Sequence, residues 1–400
     1  MKKVFIPILT LITLAVFVSC SKDDDNGGTP TSQKDKKITS QTDPDLDPTD
    51  LQGDVEANIT LSNDQEWSLT GALAVKSGFT LTIEEGTTIN ANVGGTNVYV
   101  VVEQGAKIIA DGTATAPIKF TSAAANPRAG DWGGILINGF AKISGGGTST
   151  TEVLPLTYGG TDDADNSGIL DYVIIEYTGA RINGEKEFNG LTLYGVGSGT
   201  QISNIVVNKG DDDGVEWFGG TVAISNLLVI DSRDDLFDWT QGWRSTGNSN
   251  WYGVRTLDFT AISEDPRGIE GDGNLDGNSP SDADQSNPSI DNVTIVNNGI
   301  IQMADMVKIR RGSSATITNL YLGFNENADD DADPSASDTI DLEDGKGGAL
   351  ASTSISGIVN VSSGVDINDL KNAPGATITL ADGTTPSVDK SIFAWAGIAF

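Results

Sequence analysis

A six-residue segment of this 400-residue chain recurs after 22 residues. Residues 212–217 read Asp-Asp-Gly-Val-Glu-Trp, and residues 234–239 read Asp-Asp-Leu-Phe-Asp-Trp. The last five positions of this echo form a frame that fits further segments on both sides, at residues 133–137, 189–193, 267–271, 305–309, 338–342 and 391–395. A repeat of about this length is typical of a solenoid, in which each unit covers the apolar face of its neighbour.

The units of this repeat have the composition of strands. Short runs of Val, Ile, Leu and Thr, such as residues 98–102 and 202–207, end at Gly, Asn, Asp or Ser, and no long window has helical spacing. A propeller would need four strands per unit of about 40 residues, and a sandwich would not produce this echo. The sequence therefore predicts an all-β fold, a stack of coils joined by parallel strand pairing.

Side-chain alternation predicts which residues of the frame face the interior. The third and fifth positions are mostly large and apolar, as in Val215 and Trp217, so they are expected inside and the fourth position outside. The tryptophans are accordingly expected to stack in the interior rather than form an external sugar platform. The outward fourth positions are Leu136, Thr192, Glu216, Asp238, Glu270, Lys308, Asp341 and Ala394.

Three successive carboxylates on this outward strip suggest a binding site. Like charges stacked one coil apart repel by roughly 1 to 4 kcal/mol each. A bound Ca²⁺, a nearby cation or a raised carboxyl pKa would relieve this repulsion. One hypothesis is a Ca²⁺ site made by Asp213, Glu216, Asp235 and Asp238, within a ligand-binding strip made by Glu216, Asp238, Glu270, Lys308 and Arg310. The alternative for the first-position residues Asp213 and Asp235 is that they cap turns by accepting hydrogen bonds from neighbouring amides.

The first 20 residues predict export. Lys2 and Lys3 precede an apolar run over residues 4–18, which has the order of a secretory signal peptide and is too short for a membrane span. Cys20, the only cysteine, resembles a bacterial lipoprotein acylation site, and the alternative is an ordinary signal peptide that contains a cysteine. The predicted domains are a signal peptide over residues 1–19, a lipidated N-terminus with a flexible acidic linker over 20–54, and a β-helix over 55–400.

The segment after Cys20 also bears on location. Lys22, Asp23, Asp24 and Asp25 resemble an acidic export signal that sends lipoproteins to the outer leaflet, although a solvated spacer would look the same. The resemblance implies anchoring in outer-membrane lipid, with the chain facing the exterior.

Charge and the absence of histidine exclude several functions. The net charge of −32 opposes binding to nucleic acid and favours binding of cations. Because the chain has no histidine, a Ser-His-Asp triad and a His-ligated zinc are both excluded. Any catalysis must use carboxylates, Lys, Arg or Tyr.

Three further segments, residues 112–118, 131–135 and 187–191, resemble right-handed parallel β-helix surface lipoproteins of the pectin lyase and polygalacturonase superfamily. This resemblance implies that polysaccharide binds on the outer face of the strip. The Gly-His-Gly element of the polygalacturonases has no counterpart here, since histidine is absent.

The expected function is a surface lipoprotein that binds extracellular polysaccharide without cleaving it. One alternative is an enzyme: a glycoside hydrolase using Glu216 with Asp238 or Glu270, or a Ca²⁺-dependent lyase using Lys308 or Arg310 as base. Another is a structural or adhesive protein that binds other surface proteins. Three acidic loops are expected to be solvated turns, with weak Ca²⁺ binding as the second interpretation; they lie at residues 161–168, 272–284 and 329–333.

Overall fold

The computed structural model describes residues 36–183, 186–324 and 335–400. Nearly all of their strands join one continuous parallel array, which confirms the predicted all-β right-handed parallel β-helix. The strands are β1 Lys37–Ile38, β2 Leu51–Val55, β3 Ile59–Leu61, β4 Trp67–Val75, β5 Thr80–Ile83, β6 Thr88–Ala91, β7 Val100–Val102, β8 Lys107–Asp111, β9 Ile118–Ser122, β10 Ile135–Asn138, β11 Ser149–Thr150, β12 Thr157–Tyr158, β13 Gly168–Glu176, β14 Arg181–Asn183, β15 Lys186–Glu187, β16 Leu191–Tyr194, β17 Gln201–Asn208, β18 Val215–Phe218, β19 Ile224–Ile230, β20 Phe237–Thr240, β21 Asn248–Arg255, β22 Ile269–Asp272, β23 Ser289–Asn297, β24 Met303–Arg310, β25 Thr316–Phe324, β26 Ala336–Asp341, β27 Ser354–Val359, β28 Leu370–Lys371 and β29 Thr377–Asp382. Three 3₁₀ helices span Leu275–Gly277, Val361–Ser363 and Lys390–Ala396.

One sheet carries the repeated frame. It runs β1-β2-β4-β7-β10-β16-β18-β20-β22-β24-β26-β28, with every neighbouring pair parallel. Glu216 lies opposite Thr192 on one side and Asp238 on the other, as the echo predicts. The outward strip is therefore a real ladder of stacked side chains.

The other two sides of the solenoid share long strands that bend at one residue. The bend residues adopt positive φ of 50° to 58°, a region where Asn is tolerated far better than most side chains. The asparagines among them form a ladder: the Asn226 amide donates to Asn204 at 2.9 Å, Asn250 to Asn226 at 2.9 Å and Asn292 to Asn250 at 3.1 Å. The side-chain amide of each of these three asparagines thus donates a hydrogen bond to the asparagine of the preceding coil.

The interior contains the residues that alternation placed there. Val215, Trp217, Phe237 and Trp239 are fully buried in the main core cluster. The Trp217 ring stacks on that of Trp243, with centroids 4.6 Å apart. Trp217 and Trp239 therefore lie in the core, as predicted.

The frame assigned to residues 391–395 was wrong. These residues lie in the 3₁₀ helix Lys390–Ala396, and the Trp395 ring contacts Tyr172 on the outside of the solenoid at 5.1 Å. The chain leaves the stack after Asp382 and folds back over an outer apolar face. Its aromatic residues therefore pack in a second apolar cluster on the outside of the solenoid. Ala394 is therefore not on the strip, and Lys371 occupies the position on the next strand opposite Asp341.

The solenoid begins earlier than the predicted boundary at residue 55. Strand β1 and all but the last residue of β2 lie within the segment assigned to the linker, and Ile38 and Leu51 are buried in the core. The polar composition of residues 36–50 conceals the few apolar side chains that cover the first coil. Cys20 and the acidic signal Lys22, Asp23, Asp24 and Asp25 lie outside the described residues. Within the described part of the chain, no helix has the length and apolar character needed to cross a membrane.

Candidate functional site

The strip on the first sheet divides into two halves that differ in their charge partners. We call Glu216 and Asp238 the open half, and Glu270, Lys308 and Asp341 the paired half. All five residues occupy the same position on successive strands, one rung apart, from β18 to β26. Their surroundings differ because different loops reach each half.

Arginines neutralise the first carboxylate of the paired half. The Arg267 guanidinium bonds to Glu270 and donates through Nε to Asp305 at 3.0 Å. Arg310 bonds to the other oxygen of Glu270 and donates through Nε to Asp272 at 2.9 Å. Glu270 therefore has a cation on each of its two oxygens.

The rest of the paired half is likewise held in ion pairs. Lys308 bonds to Asp341, and Lys371 bonds to Asp338 at 2.6 Å. Oxygens of Asp305, Asp338 and Asp341 do approach one another within 4.8 Å, but Arg267 and the two lysines already balance this group. The predicted ligand-binding residues Glu270, Lys308 and Arg310 thus bond mainly to the protein itself.

The open half has no such partners. Carboxylate oxygens of Asp213, Glu216 and Asp238 lie within 4.8 Å of one another, and none of the three forms an ion pair within the described residues. The Asn189 side-chain amide donates to Glu216 at 2.6 Å. The Oδ1 atom of Asp238 is shielded from solvent and has no hydrogen-bond partner among the described residues.

The first-position aspartates act mainly as turn caps. The Asp213 carboxylate accepts a hydrogen bond from the Asp235 backbone amide at 2.8 Å, and Asp235 accepts one from the Arg267 amide at 2.6 Å. Asp235 therefore does not join the predicted Ca²⁺ group, because its carboxylate serves the next coil. Asp213 does both, since it also contacts the open-half cluster.

A cleft of about 550 Å³ lies over Glu216 of the open half and over Asp213, while Asp238 lies beside it and not in its lining. Its walls come from the loop between β11 and β12, the β14–β15 hairpin and the loop before β22. Among the described residues of the lining, Arg181 is the only basic one, and it is held by Glu187 and Asp212 at 2.9 Å each. The lining residues are Glu152, Arg181, Glu187, Asp212, Asp213, Glu216, Asp234, Ile262, Ser263, Glu264 and Asp265.

This crowding of carboxylates changes their proton affinity. Burial raises the pKa of Asp213, Glu216 and Asp238 well above the ordinary range, and neighbouring carboxylates raise it further. Burial, followed by the charge of Glu187, raises the pKa of Glu152 to about 7. The cleft therefore holds protons or a cation more readily than separate surface carboxylates do.

Several cleft residues were missed by the sequence analysis. Asp212 and Asp234 belong to the repeated Asp-Asp pair, so the echo contained a signal for them. They approach Asp213 to form a second carboxylate group with oxygens within 4.8 Å. Glu152 and Glu187 come from loops outside the repeat and had no periodic signal.

The other acidic loops resemble turns more than ion sites. Asp163 pairs with Lys142 at 3.0 Å, and Asp165 accepts a hydrogen bond from the Ser167 hydroxyl at 3.1 Å. Asp272 is held by Arg310 and Arg311. The acidic residues at 329–333 lie outside the described residues.

Comparison with known families agrees with the geometry of the fold. The family model described as a pectate-lyase like beta helix domain matches residues 53–361, more than three quarters of the chain. No curated protein and no solved structure matches the chain. The match includes both halves of the strip and ends before the last coil of the solenoid.

Proposed function

This chain belongs to the family of pectate-lyase-like β-helix domains, and we propose that it is a surface lipoprotein that binds extracellular polysaccharide through Ca²⁺ in its acidic cleft. The family supports a polysaccharide-related or structural surface protein. The Ca²⁺, the glycan and the lipid anchor are the proposal.

One observation carries the cation site. Three carboxylates converge on the outer face of the first sheet without an ion pair to any described residue, and one buried oxygen of Asp238 accepts no hydrogen bond from the described part of the chain. Two unit charges 4 Å apart repel by about 4 kcal/mol at an effective dielectric constant of 20, so a cation there removes a large cost. Carboxylate oxygens are the ligands that Ca²⁺ prefers, and six to eight are needed in all. Asp213, Glu216 and Asp238 would supply part of that shell.

The incomplete shell supports a role in glycan binding. Ca²⁺ held by a few protein oxygens keeps coordination positions for hydroxyl or carboxylate groups of a ligand. The cleft above it is open and polar, and a sugar chain laid along the strip would meet the ion first.

Calcium titration tests the site directly. We expect millimolar Ca²⁺ to raise the melting temperature of the native chain and to have no such effect on Asp238→Asn. Asp341→Asn is the matched control, because it makes the same change on the same strip where Lys308 already neutralises the charge. An unchanged melting temperature in the native chain would refute the cation site.

Glycan binding has its own test. Polysaccharides immobilised on beads should retain the chain with Ca²⁺ present and release it with a chelator. Release of new reducing ends from the same polysaccharides would instead indicate hydrolysis.

Hydrolysis is the second candidate, and one observation favours it. Glu216 lines the open cleft, Asp238 is the adjacent carboxyl on the next strand, and burial raises the pKa of both; glycoside hydrolases use such a pair of neighbouring carboxyls. The lyase alternative has less support, because Lys308 and Arg310 are both bound in ion pairs.

The anchor is tested through Cys20. Cells fed labelled palmitate should label the native chain and leave Cys20→Ser unlabelled, and the variant should leave the membrane fraction. Changing Asp23, Asp24 and Asp25 to Asn should leave the label and reduce exposure to external protease.

A further inference from the structure

The loop between β21 and β22 borders a second cavity besides the acidic cleft. This cavity has a volume of about 320 Å³, and residues 258–260 of the loop line it, whereas residues 262–265 line the cleft. The rest of its lining comes from the turns that follow β13, β17 and β19 and from residues 127–129, between β9 and β10. The cavity therefore lies at the turns that lead into the first sheet and shares no lining residue with the cleft.

A buried arginine fixes the shape of this loop. Arg255 is fully buried at the end of β21, where its guanidinium donates to the carbonyls of Asp234 at 2.6 Å and Arg267 at 2.8 Å. It also lies over the ring of Phe259, 4.6 Å from the centroid. Phe259 lines the cavity and is itself buried. A site held in this way is formed before a ligand arrives, which lowers the entropic cost of binding.

Three lining residues occupy the same position on successive coils. Tyr177, Lys209 and Asp231 each follow the last paired residue of a long strand, and their φ angles are 64°, 59° and 54°. This left-handed region suits Gly and Asn and disfavours a residue as bulky as Tyr. The bends on the other sides of the solenoid mostly have Asn in this conformation. An aromatic and a basic residue here therefore point to a role for their side chains.

Two lining side chains have polar groups without partners. The Tyr177 hydroxyl and the Arg128 guanidinium form no hydrogen bond or ion pair with a described residue, although the Arg128 backbone amide donates to Asp131. The guanidinium of each of the other seven arginines is bonded to carboxylates or carbonyls. Because the chain has 56 acidic and only 24 basic residues, an unpaired arginine at a cavity is unexpected.

The lining of the cavity is close to electrical neutrality. It combines three basic residues with two acidic ones: Arg128, Lys209, Arg233, Asp231 and Asp258. Arg233 is also bonded to Asp211, which offsets the remaining positive charge. Neither an anion nor a cation therefore gains from the net charge of the cavity. A neutral molecule with several hydroxyl groups fits better, because each hydroxyl can accept from a basic side chain and donate to a carboxylate.

We propose that this cavity binds a neutral sugar residue, at a site separate from the Ca²⁺ group of the cleft. The Tyr177 ring packs against the apolar face of the sugar, and its hydroxyl and the Arg128 guanidinium donate to sugar oxygens. Asp258 accepts from a sugar hydroxyl. Small-molecule sites of about this volume combine aromatic surface with a few fixed polar groups in the same way. The chain then holds extracellular glycan at two places that share one loop.

Saturation-transfer NMR on the full chain, in a detergent without sugar groups, tests this site. The neutral probes are the methyl glycosides of glucose, galactose, mannose and xylose, and the charged probes are methyl glucuronide and methyl glucosaminide. All spectra are recorded with a chelator, so that Ca²⁺ in the cleft makes no contribution. We expect at least one neutral glycoside to bind with a Kd of about 1 mM and both charged probes to bind about tenfold more weakly.

Three variants separate a binding role from a structural one. Tyr177→Asn removes the ring and suits the positive φ better, so it should abolish binding without lowering the melting temperature. Arg128→Ala should weaken binding about tenfold, also without a change in melting temperature. Tyr172→Asn is the matched control, because it makes the same change at a bend with a φ of 50° outside the cavity and should leave binding intact.

Three results would overturn the proposal: no saturation transfer to any neutral glycoside, tighter binding of a charged probe, or binding that survives Tyr177→Asn. Because the chelator is present throughout, a failure of the Ca²⁺ site leaves these measurements unchanged. A single sugar held at about millimolar affinity is also too weak to retain the chain on polysaccharide beads, so the two tests remain independent.

Discussion

The open and paired halves of the strip show how one repeated pattern gives two different surfaces. Both have carboxylates at the same position of successive strands, stacked in register. In the paired half, Arg267 and Arg310 neutralise Glu270. In the open half, Glu216 and Asp238 lie close to each other and to Asp213, Glu216 accepts a hydrogen bond from the Asn189 amide, and neither carboxylate forms an ion pair with a described residue. The repeat places the charges, and the loops decide whether they are balanced.

The largest expected effect comes from removing a cation from the paired half. Arg267→Ala would leave Glu270 and Asp305 short of a partner in a buried setting, which costs about 3 to 5 kcal/mol. Urea unfolding should show this loss. Arg128→Ala, a change at an exposed arginine, should change stability by less than about 0.5 kcal/mol. A loss below about 1 kcal/mol for Arg267→Ala would mean that the paired half does not depend on its ion pairs.

The same chemical change should have opposite signs in the two halves. Without Ca²⁺, Asp238→Asn removes repulsion from Glu216 and Glu270 and should stabilise the fold by about 1 kcal/mol. Asp341→Asn weakens the ion pair of buried Lys308 and should destabilise it by about 2 kcal/mol. Urea unfolding in the presence of a chelator measures both. Equal signs would show that the two halves do not differ as described.

The pH dependence of stability should separate the halves further. The open-half carboxyls have raised pKa values in the folded state, so folding favours their protonated form. Their contribution to stability is fully present below the ordinary pKa of about 4 and is lost as the pH rises through the higher folded values. Melting temperatures in chelator should therefore fall from about pH 4.5 to above 7, where Glu152 also titrates.

The double variant Glu216→Gln with Asp238→Asn provides the control for this slope. It should flatten the profile, because its open half no longer titrates. An identical slope in the double variant would assign the pH dependence to other groups.

The smallest expected effect concerns the rim of the cleft. Glu152 lines the cavity but lies outside the three-carboxylate group. Its charge should therefore attract a bound Ca²⁺ electrostatically without coordinating it. Glu152→Gln should weaken Ca²⁺ binding by about two- to fivefold, as expected for a modest charge interaction. Isothermal titration at pH 8 measures this. A complete loss of binding would place Glu152 among the ligands.

Much of this fold and part of the site could be predicted from residue order. The 22-residue echo located seven rungs of the strip, and alternation correctly assigned Trp217 and Trp239 to the interior. The prediction failed at residues 391–395, where an apolar alternation belongs to a segment packed on the outside. Spacing cannot distinguish a buried strand from a chain that covers another apolar face.

The site was only half predictable for a related reason. Asp213, Glu216 and Asp238 were expected to meet and do meet, because parallel stacking brings equal frame positions together. Asp235 was expected with them and instead caps the Arg267 amide. Glu152 and Glu187 enter the cleft from loops whose course depends on packing between coils that are distant in sequence.

The sequence by itself determined the stack of coils, the inside and the outside of each strand, and the row of carboxylates. Those features follow from local periodicity, since each rung repeats the same alternation. The tertiary structure alone decided which carboxylates are balanced, which residues wall the cleft, and where Trp395 packs. These depend on contacts between loops and distant coils, and electrostatic energy depends on three-dimensional distance rather than on position in the chain.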